Sequence, residues 1–286
     1  MILRTGAGEL RAPWRLGVFA AALIATAIAA TLFIAPLLAS FYTAPGIGAE
    51  TIASVIDAFA TLSATWVALR WIDHKPWSEV GLGRSAANPK TIAGGFVLGS
   101  VAIALPISLL ILVGWLRSTP VTTVQWGHPI VRVTALLLPA ALAEELLTRG
   151  YVLTVLRDAW NWPASVAVTS IAFGLLHLRN PGANFQSVML VTLAGVFLAT
   201  IRVATGSLYA AWAAHFAWNW MMAAVFHASV SGLPFDAPGY RYVDAGPDWA
   251  TGGVWGPEGG IPAGVAMIGG TGLLLLRLRR RGERKV

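Results

Sequence analysis

The block from Leu16 to Ser40 runs without a single charged residue. A helix needs roughly 20 apolar residues to cross the hydrocarbon core of a bilayer. Backbone polar groups have no water to bond in that core, so such blocks cross as helices unless a closed barrel forms. Comparable apolar blocks recur along the chain, at about residues 16–41, 51–72, 91–116, 133–156, 163–178, 186–204, 207–227 and 261–278. Only 12% of the residues are charged, half of the roughly 25% of a soluble domain. The expected fold is all-α: a polytopic membrane helical bundle of about eight transmembrane helices.

The formal charge of +7 invites a nucleic-acid partner. Basic residues at the ends of membrane spans explain it better, because they mark cytoplasmic loops. With a cytoplasmic N-terminus, sixteen of the 20 lysines and arginines fall on one side. Among them are Arg4, Arg11 and Arg15 before the first span, and Arg279, Arg280, Arg281, Arg284 and Lys285 in the tail. Arg117, Arg132, Arg179 and Arg241 are left for the other side. Both termini are therefore expected in the cytoplasm. The first block is longer than the roughly 7–15 apolar residues of a cleaved signal peptide, so it reads as a retained span. Cysteine is absent, which excludes disulfides, thiolate nucleophiles and cysteine zinc sites. The loop 228–260 carries Asp236, Asp244, Asp248 and Glu258. It is expected to be irregular and external, resting on the interface through Trp249 and Trp255. Gly95 and Gly99 make a small-xxx-small helix-contact pattern. Asp73 to Leu82 reads equally well as a short interfacial helix or a connector.

Ionisable residues inside a span are costly and face a bundle interior or a watery cavity. Three clusters stand out. In the fourth block, Glu145 and Arg149 are four apart and share a helix face. Glu144 points about 100° away from Glu145 and lies roughly 17 Å from the outer end of the span, near mid-bilayer. In the fifth, Phe173 and His177 share a face. In the seventh, His215 and Asn219 do. The plain alternatives are a structural ion pair or a helix end among headgroups, a histidine satisfied by a backbone carbonyl, and interhelical hydrogen bonds. His227 ends its span and reads as an interface residue without a role. Together the clusters supply a carboxylate, two imidazoles and an amide. A buried carboxylate can activate water as a general base, and histidine and asparagine donors can hold an oxyanion. That describes peptide-bond hydrolysis. The same set could bind zinc through two histidines and a carboxylate, but HExxH is absent.

Glu144-Glu145-xxx-Arg149, Phe173-xxx-His177 and His215-xxx-Asn219, each in its own span, resemble the motifs of the CPBP family of intramembrane glutamic endopeptidases. That family is similar to the type II CAAX prenyl endopeptidases and the bacterial Abi proteins. The likeness covers about 133–225, preceded by a family-like "KPWSEVGL". The resemblance implies Glu144 as the base, assisted by His177, with His215 and Asn219 as the oxyanion hole. Glu145, Arg149 and Phe173 would support them, and no metal would take part. It divides the chain into N-terminal spans and loops at 1–132, a catalytic core at 133–227, and an external loop, last span and basic tail at 228–286. The implied substrate is a membrane protein or a lipidated peptide. The alanine- and arginine-rich composition has a bacterial look, which implies the cell (inner) membrane and argues against a prenylated natural substrate. The alternatives are a non-enzymatic scaffold or bacteriocin self-immunity protein and a proton-coupled transporter. The sequence does not give the oligomeric state. Straight spans put Glu144, His177 and His215 at different depths. The expectation is a conical, water-accessible cavity where they converge, with Arg179 to Gln186 dipping inward. A separation of more than about 10 Å between Glu144 and both histidines would exclude cooperation.

Overall fold

The computed structural model describes residue 3 and residues 9–40, 48–120, 127–235 and 240–283. Arg4, Asp236, Arg284 and Lys285, named above, and the last residue of the first expected span lie outside them. The elements are α1 (Ala12–Ala39), α2 (Ala49–Val67), α3 (Pro89–Leu112), β1 (Leu116–Pro120), α4 (Gly127–Glu145), α5 (Val152–Ala159), α6 (Trp162–Leu176), α7 (Phe185–Thr205), α8 (Leu208–Trp220), β2 (Tyr240–Asp244), α9 (Asp248–Thr251) and α10 (Ile261–Glu283). Three π-helical turns extend α2 to Asp73, link α4 to α5 over Leu146–Tyr151, and extend α8 to Val225.

Each expected block is thus helical. Among the described residues, five helices are long and apolar enough to cross a membrane: Ala12–Ala39, Ala49–Asp73, Pro89–Leu112, Phe185–Thr205 and Ile261–Arg280. The fourth and seventh blocks are not among them, and in both the regular α-helix passes into a π turn. In the fourth, Thr148 Oγ1 donates to the Glu144 carbonyl at 2.6 Å, and Gly150 leaves helical geometry with ψ −111. The third block stops at Leu112, and Leu116 opens β1 instead. β1 pairs antiparallel with β2, Leu116 opposite Asp244 and Pro120 opposite Tyr240. This small sheet is an addition to the expected all-α fold.

Caps fit the sequence. Asn88 accepts from the Lys90 and Thr91 amides before Pro89 opens α3. Asn184 and Ser187 form a reciprocal capping box on α7, which satisfies amides that a helix start leaves unbonded. The core joins α3, α7, α8 and α10 through Ile103, Ile107, Phe197, Ile201, Met222 and Met267. Leu32, Phe33, Leu112 and Phe185 are strongly exposed, as residues of a lipid-facing surface are.

Gly95 and Gly99 face α8. A Cβ on Gly95 would meet the Ala210 carbonyl oxygen at 2.2 Å, and one on Gly99 the Ala214 oxygen at 2.1 Å. Only glycine lets the two backbones approach so closely. The turn from Trp77 to Val80 is a 3-10 helix with Val80 buried. It sits at one end of the bundle among Arg15–Asp73 (2.6 Å), Lys75–Asp158 (3.2 Å) and Arg157–Glu79 (3.3 Å) ion pairs. There Asp73 to Leu82 is a docked connector, not a loose one.

Two expectations need correction. Trp255 does not rest on the interface: it is fully buried, packed with Phe173 and Val191. The segment around it folds back into the bundle because its turns are tied to neighbours, as when the Gly232 amide donates to the Trp255 carbonyl at 2.9 Å. Trp249 is exposed. His227 is not interfacial either. It is buried, stacks on Tyr240 at 4.3 Å, and its Nδ1–H donates to the Tyr240 carbonyl at 2.8 Å.

Candidate active site

Glu144 and Glu145 close the regular part of α4, where the π turn begins. Such turns are rare and frequent at functional sites. Glu145 and Arg149 are each 0% exposed, and Arg149 Nη1 donates to Glu145 Oε1 at 2.8 Å. Arg149 Nη1 also donates to Thr148 Oγ1 at 2.8 Å, and its guanidinium lies 4.1 Å over the Phe173 ring. A guanidinium over an aromatic face is attracted by the ring quadrupole. Arg149 therefore does not reach the headgroups.

Glu145 has a second partner that its own helix does not reveal. His215, on α8, donates Nδ1–H to Glu145 Oε1 at 3.0 Å. A carboxylate already paired with arginine accepts, so the imidazole supplies the proton. That bond turns His215 Nε2 toward Glu144, whose Oε2 lies 3.8 Å away. Glu144 Oε2 has no hydrogen-bond partner within the protein. The separation is well inside the 10 Å limit set from sequence.

His177 caps the end of α6. Its Nδ1–H donates to the Phe173 carbonyl at 2.8 Å, the plain role anticipated for it. A neutral ring bonded in this way keeps a lone pair on Nε2. Phe173 lies between the two histidines, edge-on, at 4.8 Å from His177 and 5.9 Å from His215.

Glu144, His177, His215 and Asn219 line one cavity of about 160 Å³. The depths meet for two reasons. The cavity uses the later part of α4, the end of α6, the middle of α7 and the later part of α8. Also, α6 has 15 residues, about 22 Å of helix, too short for the roughly 30 Å core. His177 can then lie inside the bundle. After it, Asn180 also lines the cavity and donates to the Ser231 carbonyl at 3.0 Å.

The sequence reading missed Glu258, which lines the cavity, and Asp57, which does not. Glu258 accepts from Trp218 Nε1 at 2.9 Å, from the Ser231 amide at 2.6 Å and from Ser231 Oγ at 2.7 Å. It was legible only as one acid among four in an outer loop. Asp57 carries a signal that the same rule on intramembrane charges could have used: it sits within α2, near enough for the Glu144 charge to act on it. Among the described residues no cluster of three or more His, Asp or Glu side chains has the arrangement of a metal site.

Residues 126–221, about a third of the chain, match the family model described as type II CAAX prenyl endopeptidase Rce1-like. All four residues at the centre of the cavity fall inside that match. No curated protein and no solved structure matches the chain. Residues 126–221 are thus similar to CAAX-type endopeptidases, and the apolar helices fit a multi-pass membrane chain.

Proposed function

We propose, from the Rce1-like core at residues 126–221, that the chain is a metal-independent glutamic endopeptidase of the membrane. The observation that carries this reading is the meeting of Glu144, His177, His215 and Asn219, from three helices, on one cavity. Glu144 takes a proton from water, and His177 Nε2 accepts a hydrogen bond from the O–H that remains. The hydroxide adds to the scissile carbonyl carbon. His215 Nε2–H and the Asn219 amide hold the oxyanion that forms, because donors aimed at developing charge stabilise it selectively. His215 can donate there only as the charged ring, since Nδ1–H is committed to Glu145. Glu144, 3.8 Å away, is the counter-charge of that ring until it takes the water's proton, and the oxyanion then replaces it. When the carbon–nitrogen bond breaks, the proton on Glu144 passes to the departing amine. The substrate is a membrane-associated protein or a lipidated peptide. The chain lies in the cell (inner) membrane with both termini cytoplasmic.

The test compares membrane proteomes of cells carrying the wild type and Glu144→Gln. A protein terminus present only with the wild type is expected. An unchanged set of termini, with the cellular phenotype kept by the variant, would favour a scaffold or immunity protein. Loss of purified activity to a strong chelator would replace the glutamic mechanism with a zinc one.

A further inference from the structure

The proposed hydrolysis makes no use of Glu258, which lies outside the matched residues 126–221. Its side chain lines the same cavity and the residue is only 8% exposed. Its three bonds come from Trp218 Nε1, the Ser231 amide and Ser231 Oγ, all neutral donors. A carboxylate offers about four acceptor sites, so one remains. Among the described residues, Glu258 forms no ion pair. No lysine or arginine lines the cavity, whose carboxylates are Glu144 and Glu258. Glu145, behind the wall, is matched by Arg149. Glu144 has the charged His215 ring 3.8 Å away, whereas Glu258 has no such counter-ion among the described residues. A buried anion without a counter-ion is costly, and attraction to an incoming cation is strong in a low dielectric.

We propose that Glu258 is a specificity-determining residue that selects a basic side chain, lysine or arginine, beside the bond to be cut. The inference rests on the proteolytic reading above. Trp218 and Ser231 hold the carboxylate still, and its remaining acceptor site takes the substrate's N–H.

The experiment uses the full chain in nanodiscs carrying Glu144→Gln, so that peptides bind uncut and Glu258 is the remaining lining carboxylate. Two short peptides, identical except for lysine or norleucine at one position, are titrated by calorimetry. The lysine peptide is expected to bind at least about tenfold tighter. Glu258→Gln should abolish the difference. Ser231→Ala, which removes a fastening bond and keeps the charge, should retain it, as should Glu258→Asp. Equal affinity for the two peptides overturns the proposal, and that comparison needs no change at Glu258. A preference that survives Glu258→Gln overturns it as well. A lysine preference in binding, with no cleavage by the wild type, would remove the proteolytic reading and leave the cation site standing. Equal cleavage of both peptides by the wild type would do the reverse.

Discussion

At the scale of single residues, Glu145 does more than its spacing suggests. It accepts from Arg149 on its own helix and from His215 on another through the same oxygen. Removing Arg149 takes a fully buried guanidinium partner from that carboxylate, and breaking a buried pair costs about 3–5 kcal/mol. Arg149→Ala should therefore lower the unfolding midpoint markedly. Glu145→Gln with Arg149→Met, which removes both charges, should recover much of the loss. Equal stability of the wild type and Arg149→Ala would show that the pair is not structurally important. Asn219→Ala should reduce kcat about 100- to 1,000-fold with little change in KM, the pattern of a donor used in the transition state. A change confined to KM would place Asn219 in ground-state binding.

At the scale of elements, α3 and α8 decide where the candidate site can form. The glycine pair of α3 was legible as a contact pattern, but its partner was not. Contact with α8 at Ala210 and Ala214 sets the backbone one residue before His215. A methyl on Gly99 would meet a backbone oxygen, which cannot yield as a flexible side chain can. Gly94, one residue before Gly95, has nothing within 4 Å of its would-be Cβ. Gly99→Ala is expected to lower thermal stability and activity together. Gly94→Ala should be neutral or stabilising, by up to about 1 kcal/mol. Similar melting temperatures for the two variants would contradict the close packing. The π turn after Glu145 illustrates the opposite case. Nothing in the apolar pattern marks it, because periodicity reads as continuous helix across a single wide turn.

At the scale of the whole molecule, the proposed topology has an even number of crossings, which returns both termini to one side. Tags at the two ends should be protected or digested together in oriented vesicles, and opposite behaviour would refute that topology. The cavity of about 160 Å³ is below the roughly 300–1,000 Å³ of typical ligand pockets, so the proposed proteolysis requires it to widen when a peptide enters. The sequence by itself determined the class of fold and the identity of the intramembrane charges. A block such as Leu16 to Ser40 has no low-energy place outside lipid, and a carboxylate such as Glu144 is too costly there to be incidental. It also determined that Glu145 and Arg149 would pair, since four residues is one helical turn. Only the tertiary structure decided which helices bring Glu144, His177 and His215 together, that His215 turns toward Glu144 because Glu145 holds its other nitrogen, and that Glu258 returns from the outer loop to line the cavity. Those relations join residues dozens of positions apart. They depend on where helices stop, kink and touch, and local periodicity carries no information about that.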